Sequence, residues 1–296
     1  MTDDKLELLS VDLLDTHRPV MDELRVLARK MGLEFGWHYL LDLGWIISNL
    51  DLYRTERVID AGAGVGMLQW YLASKGVDVI SADRGSRAKL GLWFRANFAV
   101  EGLRPEDLDS KWRGAADTVR EAKGVVGKTK AHLRNALSLA RMLQPPLGSG
   151  RVFIYNQDLK TLRDVEDESI DAVVAVSALE HNTPEGLQEV VVELMRVLKV
   201  GGKLLATLGA SPDKDWFHEA SRGWNYTEAS LRAIFDLEPG LKSNYKQYDQ
   251  VYSALKECAE LRDNLASFYE QSGDNGMPWG VWDPQYVIVG VCKVKK

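Results

Sequence analysis

"VIDAGAGVG" runs from Val58 to Gly66. Two β-branched apolar residues lead into Asp60, and glycines then stand at 62, 64 and 66. Val58–Asp60 is expected to be a short buried strand, and the glycines a loop whose backbone can approach a ligand closely. The chemistry of that ligand follows from what the loop lacks.

A phosphate-binding loop of the G-x-x-x-x-G-K-[ST] type needs a Lys-Ser or Lys-Thr after its glycines, and none follows here. "VGKTK" at 126–130 has Gly-Lys-Thr but no glycine five residues before Gly127 and no apolar strand leading into it. The dinucleotide pattern G-x-G-x-x-G fails as well, because Gly66 comes one residue early and Met67 fills the position that must be small. Asp60, just before the loop, would repel a pyrophosphate at the following helix start. A cation would accept it. S-adenosylmethionine carries an ammonium and a sulfonium and no phosphate. Gly62 and Gly64 would admit its amino-acid part and sugar. Asp83, about twenty residues on, would accept from both ribose hydroxyls, and Asp158 with the Leu159 backbone would face the adenine edge.

Outward from the loop, short apolar runs alternate with helical patterns. "VDVISAD" ends at Asp83, "RVFIYNQD" near Asp158, and "IDAVVAVS", "KLLATL" and "QYVIVGVCKVK" follow. Residues 19–31 and 65–75 read as helices, the second stopped by Gly76. Thr183 and Pro184 open another, with Leu187, Val190, Val191, Leu194, Val197 and Leu198 on one face and Gly201-Gly202 at its end. Continuous apolar strands alternating with amphipathic helices predict an α/β, doubly wound, mainly parallel sheet. Ligands bind beyond the carboxyl ends of such strands, where Asp60, Asp83 and Asp158 all fall.

"VIDAGAGVG", "VISAD", "NQDL", "DAVVAVSALEH" and "LKVGGKLLATL", in that order, resemble the successive motifs of class I S-adenosylmethionine-dependent methyltransferases. "SALEH" is similar to the S-x-L-E-H of their broad small-molecule branch. The resemblance covers roughly 57–208, with "VIVGVCKVK" as the family's antiparallel last strand. It implies a seven-stranded Rossmann-like sheet and S-adenosyl-L-methionine as cofactor, held by Asp60, Ala61, Gly62, Ala63, Gly64, Asp83, Arg84, Asp158, Leu159 and Ser177. It also puts the transferred methyl near His181, just past the fourth strand, where a neutral imidazole could take a proton from an acceptor hydroxyl.

The domain expectation is an N-terminal helical segment or lid over 1–56 and a methyltransferase domain over 57–296. Helical insertions are expected at about 93–150 and 241–276. Trp37, His38, Tyr39, Trp216 and His218 are the candidate substrate contacts, because aromatic-rich stretches flank the first and fifth strands and could cover the site. From Lys111 to Arg151 nine basic residues face two acidic ones, in a chain of net charge −6. On a helix Lys130, Arg134 and Arg141 share a stripe beside an apolar face of Leu133, Ala136, Leu137 and Ala140. That stripe is either solvated or meets an anionic partner.

The reading is methyl transfer to a small-molecule or glycan-like acceptor, anionic if the basic stripe recruits it, and at oxygen. The alternatives are an RNA methyltransferase that uses the insertion and a non-catalytic S-adenosylmethionine-binding regulatory protein. Against RNA stand the acidic net charge and the absence of an Asn/Asp-Pro-Pro-Phe/Tyr motif after the fourth strand, where Ser177-Ala178-Leu179 stands. No carboxylate cluster suggests a metal. Two cysteines make neither a disulfide framework nor a zinc cluster. The acidic start lacks a secretory layout and no apolar run approaches the ~18 residues of a membrane span; "YLLDLGWIISNL" comes nearest, broken by Asp42. A cytoplasmic protein is expected, and a homodimer is compatible with the sequence.

Overall fold

The computed structural model describes residues 4–296, so the first three residues of the N-terminal segment lie outside it. The described chain falls into two compact units, 1–51 with 159–296, and 52–158. The first unit opens with strand β1 (Lys5–Leu8) and helices α1 (Leu13–Thr16), α2 (Arg18–Met31) and α3 (Tyr39–Asn49). Pro19 stands in the first turn of α2, and Gly32 ends the helix in the left-handed conformation, its φ +68°. Met21, Leu24, Ala28 and Met31 form the buried stripe of α2. The N-terminal segment is therefore not helical throughout, because β1 pairs antiparallel with the last strand.

The second unit contains β2 (Arg57–Ala61), α4 (Met67–Ser74), β3 (Asp78–Asp83), α5 (Leu92–Asn97), β4 (Ala99–Gly102), α6 (Lys111–Glu121), α7 (Gly124–Arg141) and β5 (Arg151–Asn156). All of its pairings are parallel: β2 with β3, β3 with β5, and β5 with β4. The insertion at 93–150 is thus not purely helical, since β4 adds an edge strand. The apolar face expected on α7 is also reversed. Leu133, Ala136, Leu137 and Ala140 are exposed, while Ala131 and Ser138 are buried. Small side chains let α7 lie close to its neighbours, and leucines there would hold it off.

The first unit resumes with β6 (Ile170–Val176), α8 (Pro184–Val197), β7 (Leu198–Ala210), β8 (Trp216–His218), β9 (Gly223–Tyr226), α9 (Glu228–Ile234), α10 (Tyr248–Lys256), α11 (Ala259–Asp263) and β10 (Val287–Val294). β6 and β7 run parallel, β10 is antiparallel to β7, and β9 adds to the far end of β7. Helix α8 forms for the reasons its sequence suggests. Thr183 accepts a hydrogen bond from the Gly186 N–H at 3.1 Å, Pro184 fits the first turn, and Leu187, Val190, Val191, Leu194 and Val197 are buried. Each such side chain contributes about 1.5–3 kcal/mol of burial. The α/β class is as expected. Ten strands are described rather than seven; β1, β4, β8 and β9 are the ones that the hydrophobic pattern does not reveal. Among the described residues no helix is long and apolar enough to cross a membrane.

Candidate active site

The glycine loop of the second unit is built around one carboxylate. Asp83, at the end of β3, accepts from the Gly64 N–H at 2.8 Å and the Gly85 N–H at 2.6 Å. The loop itself leaves β2 through Gly62 and Ala63, whose N–H groups both donate to the Ala82 carbonyl. Gly62 and Gly64 have φ of +75° and +48°, the left-handed region where a side chain is strained. Gln69 Nε2 donates to the carbonyls of Ala63, Gly64 and Gly66 from inside the first turns of α4. The loop is therefore held from both sides, and its shape does not wait for a ligand.

Asp60 is buried at the end of β2. Burial pushes its carboxyl up to about 7, with Arg87 opposing and Asp83 adding to the shift. Arg87 is the second charged group of this site. Its guanidinium donates to the carbonyls of Gly64 at 3.1 Å and Tyr155 at 3.0 Å, and to Ser81. Arg84, the arginine the sequence favours, is exposed. Arg87 is the one that folds back, since its backbone N–H is fixed by Asn156 Oδ1 at 2.8 Å. Asp158 is exposed beyond β5. Ala61 is buried in β2 and Ala63 in the loop.

Leu159 and Ser177 belong to the first unit. Ser177 closes β6 with φ +43°, a strained conformation for a non-glycine residue. Its N–H is held by the Thr207 carbonyl and hydroxyl, both at 3.2 Å. That turn aims Ser177, Glu180 and His181 at a cavity of about 380 Å³. The opposite wall comes from Trp37, His38 and Tyr39, and Tyr269, Asn275 and Tyr286 complete it.

His38 is buried, and its Nδ1 lies 2.6 Å from Asp42 Oδ2, one helical turn away. A carboxylate oxygen accepts, so His38 Nδ1–H donates to Asp42 and Nε2 is left as the accepting ring nitrogen. His181 is exposed, and its Nδ1 donates to the Arg222 carbonyl at 2.9 Å. Burial pushes Glu180 up to about 7, against the pull of His181 and His38. The Tyr39 and Tyr286 hydroxyls are raised above their usual range, burial again being the main cause. Among the described residues, Ser177 Oγ, Glu180 Oε2 and Asp42 Oδ1 are buried without a hydrogen-bond partner. Unpartnered buried polar atoms are costly, and the two that line the cavity, on Ser177 and Glu180, call for a polar ligand.

Trp37 packs edge-on against His38 and Tyr286, so it is a wall of the cavity. Trp216 and His218 stand one ring further out; His218 meets Tyr286 at 5.4 Å between centroids and Ser221 Oγ at 2.8 Å. Burial lowers the His218 pKa. Asp42, Arg87, Tyr269 and Tyr286 are absent from the sequence candidates. Only Asp42 carried a signal, as a charge inside an otherwise apolar helix. Among the described residues no group of His, Cys, Asp and Glu is placed to hold a metal.

Residues 133–206, a quarter of the chain, match a family model described as a methyltransferase domain. No curated protein matches the chain. Among solved structures it is similar to the [4+2]-cyclase SpnF, at 13% identity and a TM-score of 0.50 over 98% of each chain. It is also similar to the 1,6-didemethyltoxoflavin-N1-methyltransferase of Burkholderia thailandensis, at 12% identity and a TM-score of 0.41 over 96% of this chain and 86% of that one. The magnesium protoporphyrin IX methyltransferase of Synechocystis PCC 6803 is similar at 15% identity and a TM-score of 0.39 over 96% of this chain and 97% of that one. At these identities the likeness is one of fold.

Proposed function

We infer, from the premise that the chain is a class I S-adenosylmethionine-dependent methyltransferase, that it methylates an oxygen of a small-molecule or glycan-like acceptor held in the cavity of the first unit. The observation that carries this is the His38–Asp42 pair at 2.6 Å beside Glu180 in an aromatic cavity of about 380 Å³. That volume lies within the range of small-ligand sites. The free Nε2 of His38 accepts the hydroxyl proton, and Asp42 stabilises the imidazolium that forms. His181 also borders the cavity, but it has a carbonyl rather than a carboxylate behind it. Of the two, His38 is the one whose ring is oriented by a carboxylate to take the proton.

The loop residues fit the cofactor. Asp60 is a buried carboxyl suited to an ammonium, Gly62 and Gly64 leave the backbone open, and each Asp83 oxygen has a second lone-pair site for a ribose hydroxyl. S-adenosylmethionine, when bound, supplies a methyl group on an electron-poor sulfur. Ser177, Glu180 and the aromatic wall orient the acceptor and keep water away. Residues 1–56 act as the segment that carries the His38 wall, and 57–296 as the methyltransferase domain.

Incubation with radiolabelled S-adenosylmethionine and fractionated cell extract tests this reading. Label should enter a low-molecular-weight, ribonuclease-resistant product, and His38→Gln should reduce it ~100-fold or more. Label in ribonuclease-sensitive material would point to RNA. Cofactor binding with no labelled product in any fraction would point to a regulatory protein.

A further inference from the structure

Helix α7 turns the wrong face outward for a solvated helix. Its inner side is small: Ala131 and Ser138 are buried, and Asn135 Nδ2 donates to the Ala115 carbonyl at 3.0 Å. On the opposite side Val126, Leu133 and Leu137 are 68%, 60% and 55% exposed. At ~100° per residue these three lie within one narrow stripe, about 130° round the helix from Ala131 and Ser138. Lys130, Arg134 and Arg141 run along one margin of the stripe, and Thr129, Ala136 and Ala140 along the other. The helix contains no Asp or Glu. Trp112 on α6 and Leu143 just past α7 are further exposed apolar side chains in this unit.

A polar face normally stands where this stripe does, and a contiguous exposed apolar patch marks a docking surface. Charge selects the occupant. An antiparallel two-fold contact with a second copy would set the margin of Lys130 and Arg134 against its own copy, which is repulsive. A single helix crest, apolar along the middle and basic along one edge, in a segment where basic residues far outnumber acidic ones, suits a helix lying in the plane of a bilayer interface. Its apolar side chains reach the acyl boundary there and its cations meet the headgroups. We propose that α7 docks this protein on an anionic phospholipid surface. The net charge of −6 makes the attraction local to this helix and its neighbours, where basic residues outnumber acidic ones nine to two.

Vesicle flotation with the full-length protein tests the proposal without cofactor or acceptor, so its outcome is separate from that of the methyl-transfer reading. Vesicles of phosphatidylcholine mixed with phosphatidylglycerol should carry the protein, and phosphatidylcholine alone should not. Leu133→Glu with Leu137→Glu should abolish flotation while circular dichroism stays unchanged, both sites being exposed. Lys130→Gln with Arg134→Gln should weaken it by roughly thirty-fold, about five-fold per charge. Equal binding to both vesicle types, or binding that survives the double glutamate variant, overturns the proposal. So does a concentration-dependent dimer in sedimentation velocity that the double glutamate variant dissociates, which would give the face to a second copy.

Discussion

Replacing Asp83 by Ala removes one carboxylate that has two duties. In the structure its oxygens hold the Gly64 and Gly85 N–H groups at 2.8 and 2.6 Å. In the proposed complex they also accept the two ribose hydroxyls. A hydrogen bond to a charged group contributes about 1.5–3 kcal/mol. Each oxygen already serves one donor, so the lower figure is appropriate for each hydroxyl. Two of them give ~3 kcal/mol, a loss of affinity of about 150-fold. The half-exposed loop N–H groups can turn to water, so stability should fall by only ~1 kcal/mol. Calorimetry with S-adenosylhomocysteine and with its 2′,3′-dideoxy analogue separates the two duties. The wild type should prefer the parent compound strongly, and Asp83→Ala should bind both about equally and weakly. If the variant weakens both compounds by the same factor, Asp83 only holds the loop. If affinity for the parent stays within about three-fold of wild type, the ribose assignment is wrong.

The other expectations concern charge and packing. Asp60, raised to about 7 by burial, should make cofactor affinity climb as the pH rises from 5.5 to 7. The affinity should fall again above about 8 as the cofactor's own ammonium deprotonates; Asp60→Asn should flatten the rising limb in calorimetry. The same shift has a sign for folding. An acid whose folded pKa exceeds its unfolded value stabilises the fold below the usual carboxylate range and loses that contribution as pH rises through about 7, so Asp60→Asn should be relatively more stable at pH 8 than at pH 4 in denaturant melts. Asp42→Asn should lower turnover with cofactor affinity unchanged, and should shift the acid limb of the pH–rate profile if His38 is the base; an unaltered profile would reassign the proton transfer. Leu194→Ala, at a fully buried position of α8, should cost about 2–5 kcal/mol in urea unfolding. A loss under 1 kcal/mol would mean that the helix packs more loosely than its stripe suggests.

Periodicity made much of this fold legible. Apolar runs of five to eight residues bounded by glycine or acidic residues mark β2, β3, β5, β6 and β10, and the Thr183-Pro184 cap with its apolar stripe marks α8. The order of motifs along the chain likewise located the glycine loop, Asp60 and Asp83. The four-residue strands β1 and β4 escaped because a segment that short has no period to read.

The amino-acid sequence by itself determined the α/β alternation, the acidic glycine loop and the aromatic richness around the fifth strand. These depend on neighbours within a few residues, where backbone geometry couples directly to residue type. Only the tertiary structure decided which arginine folds back onto the loop, because Arg84 and Arg87 stand three residues apart in one loop and the choice rests on Asn156, 69 residues from Arg87. Only it set Trp37 and His38 in one wall with Tyr269 and Tyr286, more than 230 residues apart in the chain. And only it turned the leucines of α7 to solvent. Hydrophobicity alone ranks them as core, yet close helix packing admits Ala131 and Ser138 on the inner side, and a helix that buries its small residues must present the opposite face outward.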